Sequence, residues 1–168
     1  IIMKCRIDNS NCNEFLNFGR MPIANGFCSK KDFNREYFFD LKVAFNKKLS
    51  LFQLVKFPNP KKMFNKSYPF YTSSSFYMVN HFKKLSNFIK KNYMNKNSIL
   101  FEIGSNDGTF LKNFNKKKVY GFEPSKSVHL KAKKEGINSI NKFFNSKNIK
   151  ILRKLYRKVD VIFGANVF

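Results

Sequence analysis

Two acids and two glycines carry the chemistry that this sequence can offer. From Ile99 the chain reads Ile-Leu-Phe-Glu102-Ile-Gly104-Ser105-Asn106-Asp107-Gly108, then Thr109-Phe110-Leu111. A short apolar run ends in an acid, opens into a glycine-bracketed loop, and enters an apolar helical stretch. That order predicts a buried parallel strand, a tight turn and a helix N-terminus. Glycines at 104 and 108 let the backbone turn sharply and approach a ligand. About one βα unit later, Val119-Tyr120-Gly121-Phe122-Glu123-Pro124 ends a second apolar run in another acid. In open α/β folds an acid at that place grips ribose hydroxyls, so the two segments together read as a nucleoside-cofactor site. Asn166 follows a later apolar run and is expected at the same end of the sheet, where ligands sit.

A dinucleotide site wants Gly-x-Gly-x-x-Gly, whose middle glycine admits a pyrophosphate. Asn106 holds that middle position here. The acid-x-Gly-x-x-x-Gly form instead resembles the first motif of class I S-adenosylmethionine methyltransferases. The resemblance implies that Gly104, Ser105, Asn106 and Gly108 cradle the methionine end of S-adenosylmethionine. It implies further that Glu102 orders the loop through backbone N–H groups, that Glu123 holds the ribose, and that Pro124 and Ser125 shape the adenine edge. Glycines that serve only the turn of a βαβ unit are the plainer alternative.

The elements that must position these residues follow from periodicity. From about Ser98 strand and helix alternate. Strands are expected at 99–103, 119–122, 137–140 and 159–163, and helices at 109–114, 125–135 and roughly 146–156, with Gly136 ending the middle helix. This is half of a doubly wound sheet. Upstream, Phe76, Val79, Phe82, Leu85, Ile89 and Tyr93 recur at helical spacing, and Ser73, Ser74 or Ser75 is placed to cap that helix. Residues 1–58 form a first, mostly β region, with strands at 41–45 and 49–54 joined by a turn at Asn46-Lys47-Lys48. Residues 59–97 are a helical connector, and 98–168 the nucleotide-binding part. The fold class is α/β, Rossmann-like, behind a small β domain.

Composition narrows the partners. The net charge is +23, with 33 Lys and Arg against ten Asp and Glu. Lys dominates and is scattered among Asn, Phe and Ile, the residues that AT-rich coding favours, whereas nucleic-acid readers lean on Arg. No specific nucleic-acid partner is expected, and runs such as Lys116-Lys117-Lys118 and Lys131-Ala132-Lys133-Lys134 read as solvated faces. No apolar run is long enough to span a membrane, and no signal peptide is visible. Three clustered cysteines, Cys5, Cys12 and Cys28, make no disulfide framework, which fits a reducing cytoplasm. Met3 offers a natural start, and the last residues, Val159 to Phe168, stop just after a buried-type strand. The chain therefore reads as a fragment, C-terminally truncated inside a domain and with little turnover expected alone.

The order of motifs also resembles the sugar C-methyltransferases of deoxysugar biosynthesis, which carry a small zinc-binding domain ahead of the methyltransferase domain. Gly19-Arg20-Met21-Pro22-Ile23-Ala24-Asn25 is similar to that family's Gly-x-x-Pro-Leu-Ala-Asn stretch, and Leu51-Phe52-Gln53-Leu54 to its Leu-Val-Gln-Leu strand. Tyr68-Pro69-Phe70-Tyr71-Thr72-Ser73-Ser74, with His81 downstream, is similar to its Tyr-x-Tyr-x-Ser-Ser segment and following His. The glycine loop, Gly121 to Ser125, and Ala165-Asn166-Val167 complete the series. The resemblance implies a nucleotide-linked keto-sugar as substrate. A base removes the proton beside the ketone, and the enolate takes the methyl group. Tyr71 and His81 are the catalytic candidates, with Tyr77 on His81's helix face. His129, on a Lys-rich stretch, is expected to be solvated. The family's Glu-His pair for base catalysis lies beyond the part present here, so His81 acts at most as a helper.

The departure lies in the metal site. The family's two Cys-x-x-Cys pairs fall here on Cys5-Arg6-Ile7-Asp8 and Asn46-Lys47-Lys48-Leu49. Four thiolates would make a structural zinc site; one survives. No zinc is expected, a rearranged site on Cys5, Cys12 or Cys28 being the alternative. Phe15, Leu16, Phe18, Phe38, Phe39, Phe45, Leu49, Leu51 and Leu54 must then hold the region. Other methyltransferases, including one acting on RNA, a nicotinamide enzyme and a non-catalytic nucleoside-binding remnant stay open as functions. The sugar, the atom methylated and the oligomeric state are not legible.

Overall fold

The hairpin read from Leu41 onward is present, with its first arm longer and its second shorter than the apolar runs mark out. A computed structural model describes residues 3–153 and 159–167. It divides into two units, Ile1–Met63 and Phe64–Phe168. In the first, β1 (Met3–Lys4), β2 (Asn11–Pro22), β3 (Phe38–Asn46) and β4 (Leu51–Leu54) pair in that order as an antiparallel meander, followed by a single helical turn, α1 (Pro60–Met63). Asn46 pairs with Leu51, so residues 47–50 form the turn; Leu49 is drawn into it by donating its N–H to Asn46 Oδ1 at 3.1 Å. β2, with 12 residues, has no counterpart in the sequence reading. Register shifts between Glu14 and Leu16 and between Asn17 and Arg20 break its alternation, which erases the period-two signal.

The core of this unit is smaller than expected. Cys5, Cys12 and Ala44 are fully buried, with Met3, Leu51 and Val55 against them. Phe15, Leu16, Phe18, Phe38 and Leu49, expected inside, are all exposed. Phe15 still meets Phe52 edge-on at 5.4 Å, and Phe52 meets Phe45 at 4.7 Å, an aromatic cluster on one face of the meander. Because β2 runs through two bulges, its side chains do not all reach one face, and the sequence pattern overstates the core.

The second unit begins with α2 (Phe76–Tyr93). Ser75 caps it by accepting the Met78 N–H, and Phe82, Ser86 and Ile89 face inward. Then come β5 (Leu100–Ile103), β6 (Val119–Phe122), α3 (Lys126–Lys134), β7 (Asn138–Ile140), α4 (Lys150–Arg153) and β8 (Val161–Gly164). The four strands are parallel in the order β7-β6-β5-β8. Chain order therefore reverses at β5, which makes the carboxyl ends of β5 and β8 the place where ligands bind in open parallel sheets. Alternation along β5 puts Leu100 in one apolar layer, with Phe82, Phe110, Leu111 and Ile137, and Phe101 in the other, with Phe122 and Leu152. Both faces of the sheet are thus covered, as parallel sheets require.

Two of the three expected helices change in detail. The helix expected at 109–114 is one 3-10 turn, Leu111–Asn113, because Phe114 is already extended. Six residues are too few to nucleate a stable helix. The middle helix ends as expected, with Gly136 at φ +75° donating its N–H to the Lys133 carbonyl. Of the helix expected at 146–156, only Lys150–Arg153 is helical (α4); residues 146–149 form a turn, and 154–156 lie outside the described residues. Among the described residues no helix is long and apolar enough to cross a membrane.

Candidate functional site

The loop after β5 is closed on itself. Gly104 and Ser105 both donate their N–H groups to the Phe122 carbonyl, at 2.9 and 3.0 Å, and Gly108 donates to the Ser105 carbonyl at 3.0 Å. The Asn106 N–H goes to Glu123 Oε2 and the Asp107 N–H to Asn106 Oδ1, both at 2.9 Å. Every N–H from 104 to 108 thus has an internal acceptor. The ordering role that the family resemblance gave to Glu102 falls to Glu123 and the end of β6. The other oxygen of Glu123 accepts the Ser125 N–H at 2.7 Å. This carboxylate fixes two loops at once and keeps a second lone pair on each oxygen.

Close approach explains the glycines. At Gly104 φ is +69°, and a Cβ would lie 2.9 Å from Val167 Cγ2; at Gly108 φ is +78°, and a Cβ would lie 2.9 Å from Ile137 Cγ1. At Gly121 a Cβ would lie 2.2 Å from Ser105 Oγ. Ser105 therefore sits down on β6 and is buried. Asn106 holds a left-handed φ of +47°, which Asn tolerates. Asn166, also left-handed at +54°, is exposed just past β8, at the carboxyl end where it was expected. Pro124 is half-buried, and its carbonyl accepts Asn141 Nδ2 at 2.9 Å.

Residues 70–73 are stitched over this loop. Asn106 Oδ1 accepts the Thr72 N–H at 2.9 Å, and its Nδ2 donates to the Phe70 carbonyl at 3.1 Å. Asp107 accepts the Ser73 N–H at 3.1 Å and the Thr109 hydroxyl at 2.6 Å, and pairs with the Lys131 ammonium at 3.3 Å. Lys131 also donates to Ser73 Oγ and stands 5.0 Å from the centre of the Tyr71 ring. Tyr71 is thereby brought beside the loop, where it lines an open groove of about 530 Å³ with Ser127, Leu130, Lys131 and Lys134. His81 is exposed on α2, with its ring against Phe82 at 5.5 Å. His129, expected to be solvated, is half-buried, and its Nδ1 lies 2.9 Å from Ser139 Oγ. Burial and Lys133 pull its pKa down.

The three acids share one field. Glu102 is wholly buried; desolvation first, then the charges of Glu123 and Asp107, pushes its carboxyl well above the ordinary range. Burial likewise raises Glu123, against the pull of the Ser125 and Asn106 bonds. Burial would raise Asp107 too, but hydrogen bonds from Ser73 and Thr109 and the charge of Lys131 take it below the ordinary range. Glu102 Oε2, Ser105 Oγ and Ser125 Oγ are buried without a hydrogen-bond partner among the described residues. Asp107 and Lys131 tie residues 71–73 to the loop, a part that sequence reasoning missed. Asp107 was visible inside the loop; Lys131 carried no signal within a Lys-rich run.

Comparison with known families gives one match: residues 5–64 fit a methyltransferase-associated domain described as "Putative zinc binding domain". Comparison of the chain with curated proteins gives no match. The first unit is therefore similar to a domain that is associated with methyltransferases. Its residues do not fit the metal. Asp8 is already saturated by Ser10 and Lys48, Asn46 is bonded through both side-chain atoms, and Leu49 has no donor atom. Among the described residues no three His, Cys, Asp or Glu side chains gather where an ion could be held.

Proposed function

We propose that this chain carries the cofactor half of an S-adenosylmethionine-dependent methyltransferase with a class I, Rossmann-like sheet, and that its reaction is C-methylation of a nucleotide-linked keto-sugar. One observation carries the cofactor class. A chain with only ten acids places three of them, Glu102, Asp107 and Glu123, about a glycine loop whose N–H groups are all internally bonded. No N–H of residues 104–108 is left free to receive a pyrophosphate, and S-adenosylmethionine carries none. The cofactor would supply the methyl group when bound. Gly104, Asn106 and Gly108 would hold its methionine end, with Ser105 backing the loop on Gly121 and Glu102 beneath it. Glu123 would accept from the ribose through its free lone pairs, Pro124 and Ser125 would bound the adenine, and Asn166 would close the far side. Tyr71, held over the loop by Asn106 and beside Lys131, is placed to orient a substrate oxygen. His81 is the second candidate on the connector. The keto-sugar substrate rests on the motif order given above.

Calorimetric titration with S-adenosylhomocysteine tests the cofactor reading. Glu123→Ala is expected to weaken that affinity about tenfold or more, the scale of lost charge-assisted hydrogen bonds. An unchanged affinity in a folded variant would contradict the assignment of Glu123.

A further inference from the structure

We propose that the N-terminal unit retains the two facing turns of a zinc-binding domain but joins them by a hydrogen-bonded ion pair in place of the metal. One turn links β1 to β2. Cys5 donates its N–H to the Ser10 carbonyl at 2.8 Å, and Asn9 donates back to the Cys5 carbonyl at 3.0 Å. The other is the turn from Asn46 to Leu51 between β3 and β4. A structural zinc ion would take four Cys, His or carboxylate donors from two such turns, commonly at x-x spacing within each. Here the positions at that spacing are Cys5 with Asp8 and Asn46 with Leu49.

What joins the turns is polar and complete. Asp8 Oδ1 accepts the Ser10 N–H at 3.1 Å and its hydroxyl at 2.6 Å, and Asp8 Oδ2 takes the Lys48 ammonium at 3.1 Å. Asn46 Nδ2 donates to Ser10 Oγ at 2.7 Å, while its Oδ1 holds the Leu49 N–H. Asn46 is only 1% exposed, so these bonds are made away from solvent, where an unpaired amide would be costly. Lys48 already supplies a positive charge against Asp8, which a divalent cation would have to displace. Cys5 and Cys12 are both fully buried beside Ala44. Cys5 Sγ also accepts the Ile7 N–H at 3.5 Å.

Metal analysis of the purified full chain, with thermal unfolding, tests this. The native chain is expected to hold far less than one equivalent of zinc, and its midpoint to be unmoved by EDTA. The Asn46→Ala change should lower that midpoint by about 4 °C or more, and the milder Ser10→Ala by less. The combined variant Asp8→Cys, Asn46→Cys, Leu49→Cys, refolded with zinc, should take up one equivalent, since Cys5 completes the set. One tightly held equivalent in the native chain, with a fall in midpoint on chelation, would overturn the proposal. So would a folded triple variant that takes up none, because the network would then not occupy the metal's place.

Discussion

At Glu102 the surroundings set a sign that can be measured. Its carboxyl is buried beside two other acids and titrates well above the ordinary range, so the folded state prefers the protonated form. An acid raised on folding contributes most below its unfolded pKa, and that contribution is lost as pH climbs toward the folded value. Stability should therefore fall as pH rises above the ordinary carboxylate range. Glu102→Gln, which keeps the shape and removes the charge, should lose this pH dependence, so that its stability gains on the native chain as pH rises. Urea unfolding at several pH values reads this; parallel curves for the two proteins would count against a buried, raised Glu102. The sequence placed this acid, both loop glycines and Glu123 correctly at strand ends, because a β-strand that stops in an acid before glycine has few other readings. It misassigned what orders the loop. Which acceptor a backbone N–H finds depends on how β6 lies beside β5, and no local pattern encodes that.

Among the elements, the segment 70–73 has the most to do with the site. It holds no regular strand or long helix, and its order comes from Asn106, Asp107 and Lys131. The serine run that follows divides its work: Ser73 joins the loop, Ser74 bonds back to the Tyr71 carbonyl at 2.7 Å, and Ser75 caps α2. Sequence reading expected the cap and could not separate the three. Lys131→Met removes the cation between Asp107 and Ser73. Hydrogen exchange at the Ser73 amide should then quicken by about tenfold, a local opening of that strap, while the Met78 amide at the α2 cap stays as it was. Equal protection of Ser73 in both proteins would mean that the ammonium does not hold the strap. β2 shows the converse limit. A bulged strand with most side chains exposed has no period to detect, whereas the four core strands of the parallel sheet were read nearly to the residue.

For the whole molecule, charge and sheet edge act against each other. The chain carries +23, and β8 ends the parallel sheet among the described residues with Ile162 57% exposed. Edge strands with apolar side chains invite pairing, and like charge opposes it until salt screens the repulsion. Light scattering should show association rising toward roughly 0.5 M salt, where the screening length is a few ångströms, and Ile162→Lys should suppress it. Scattering that is flat with salt would remove β8 as the sticky edge. The central claim concerns the loop at the carboxyl end of β5, and one experiment meets it directly: calorimetric titration of the full chain with S-adenosylhomocysteine and, in parallel, with NAD. Saturable binding of the first alone is the predicted result. Saturable binding of NAD, with none of S-adenosylhomocysteine, would contradict it, since a pyrophosphate would then have found a place at a loop with no free N–H.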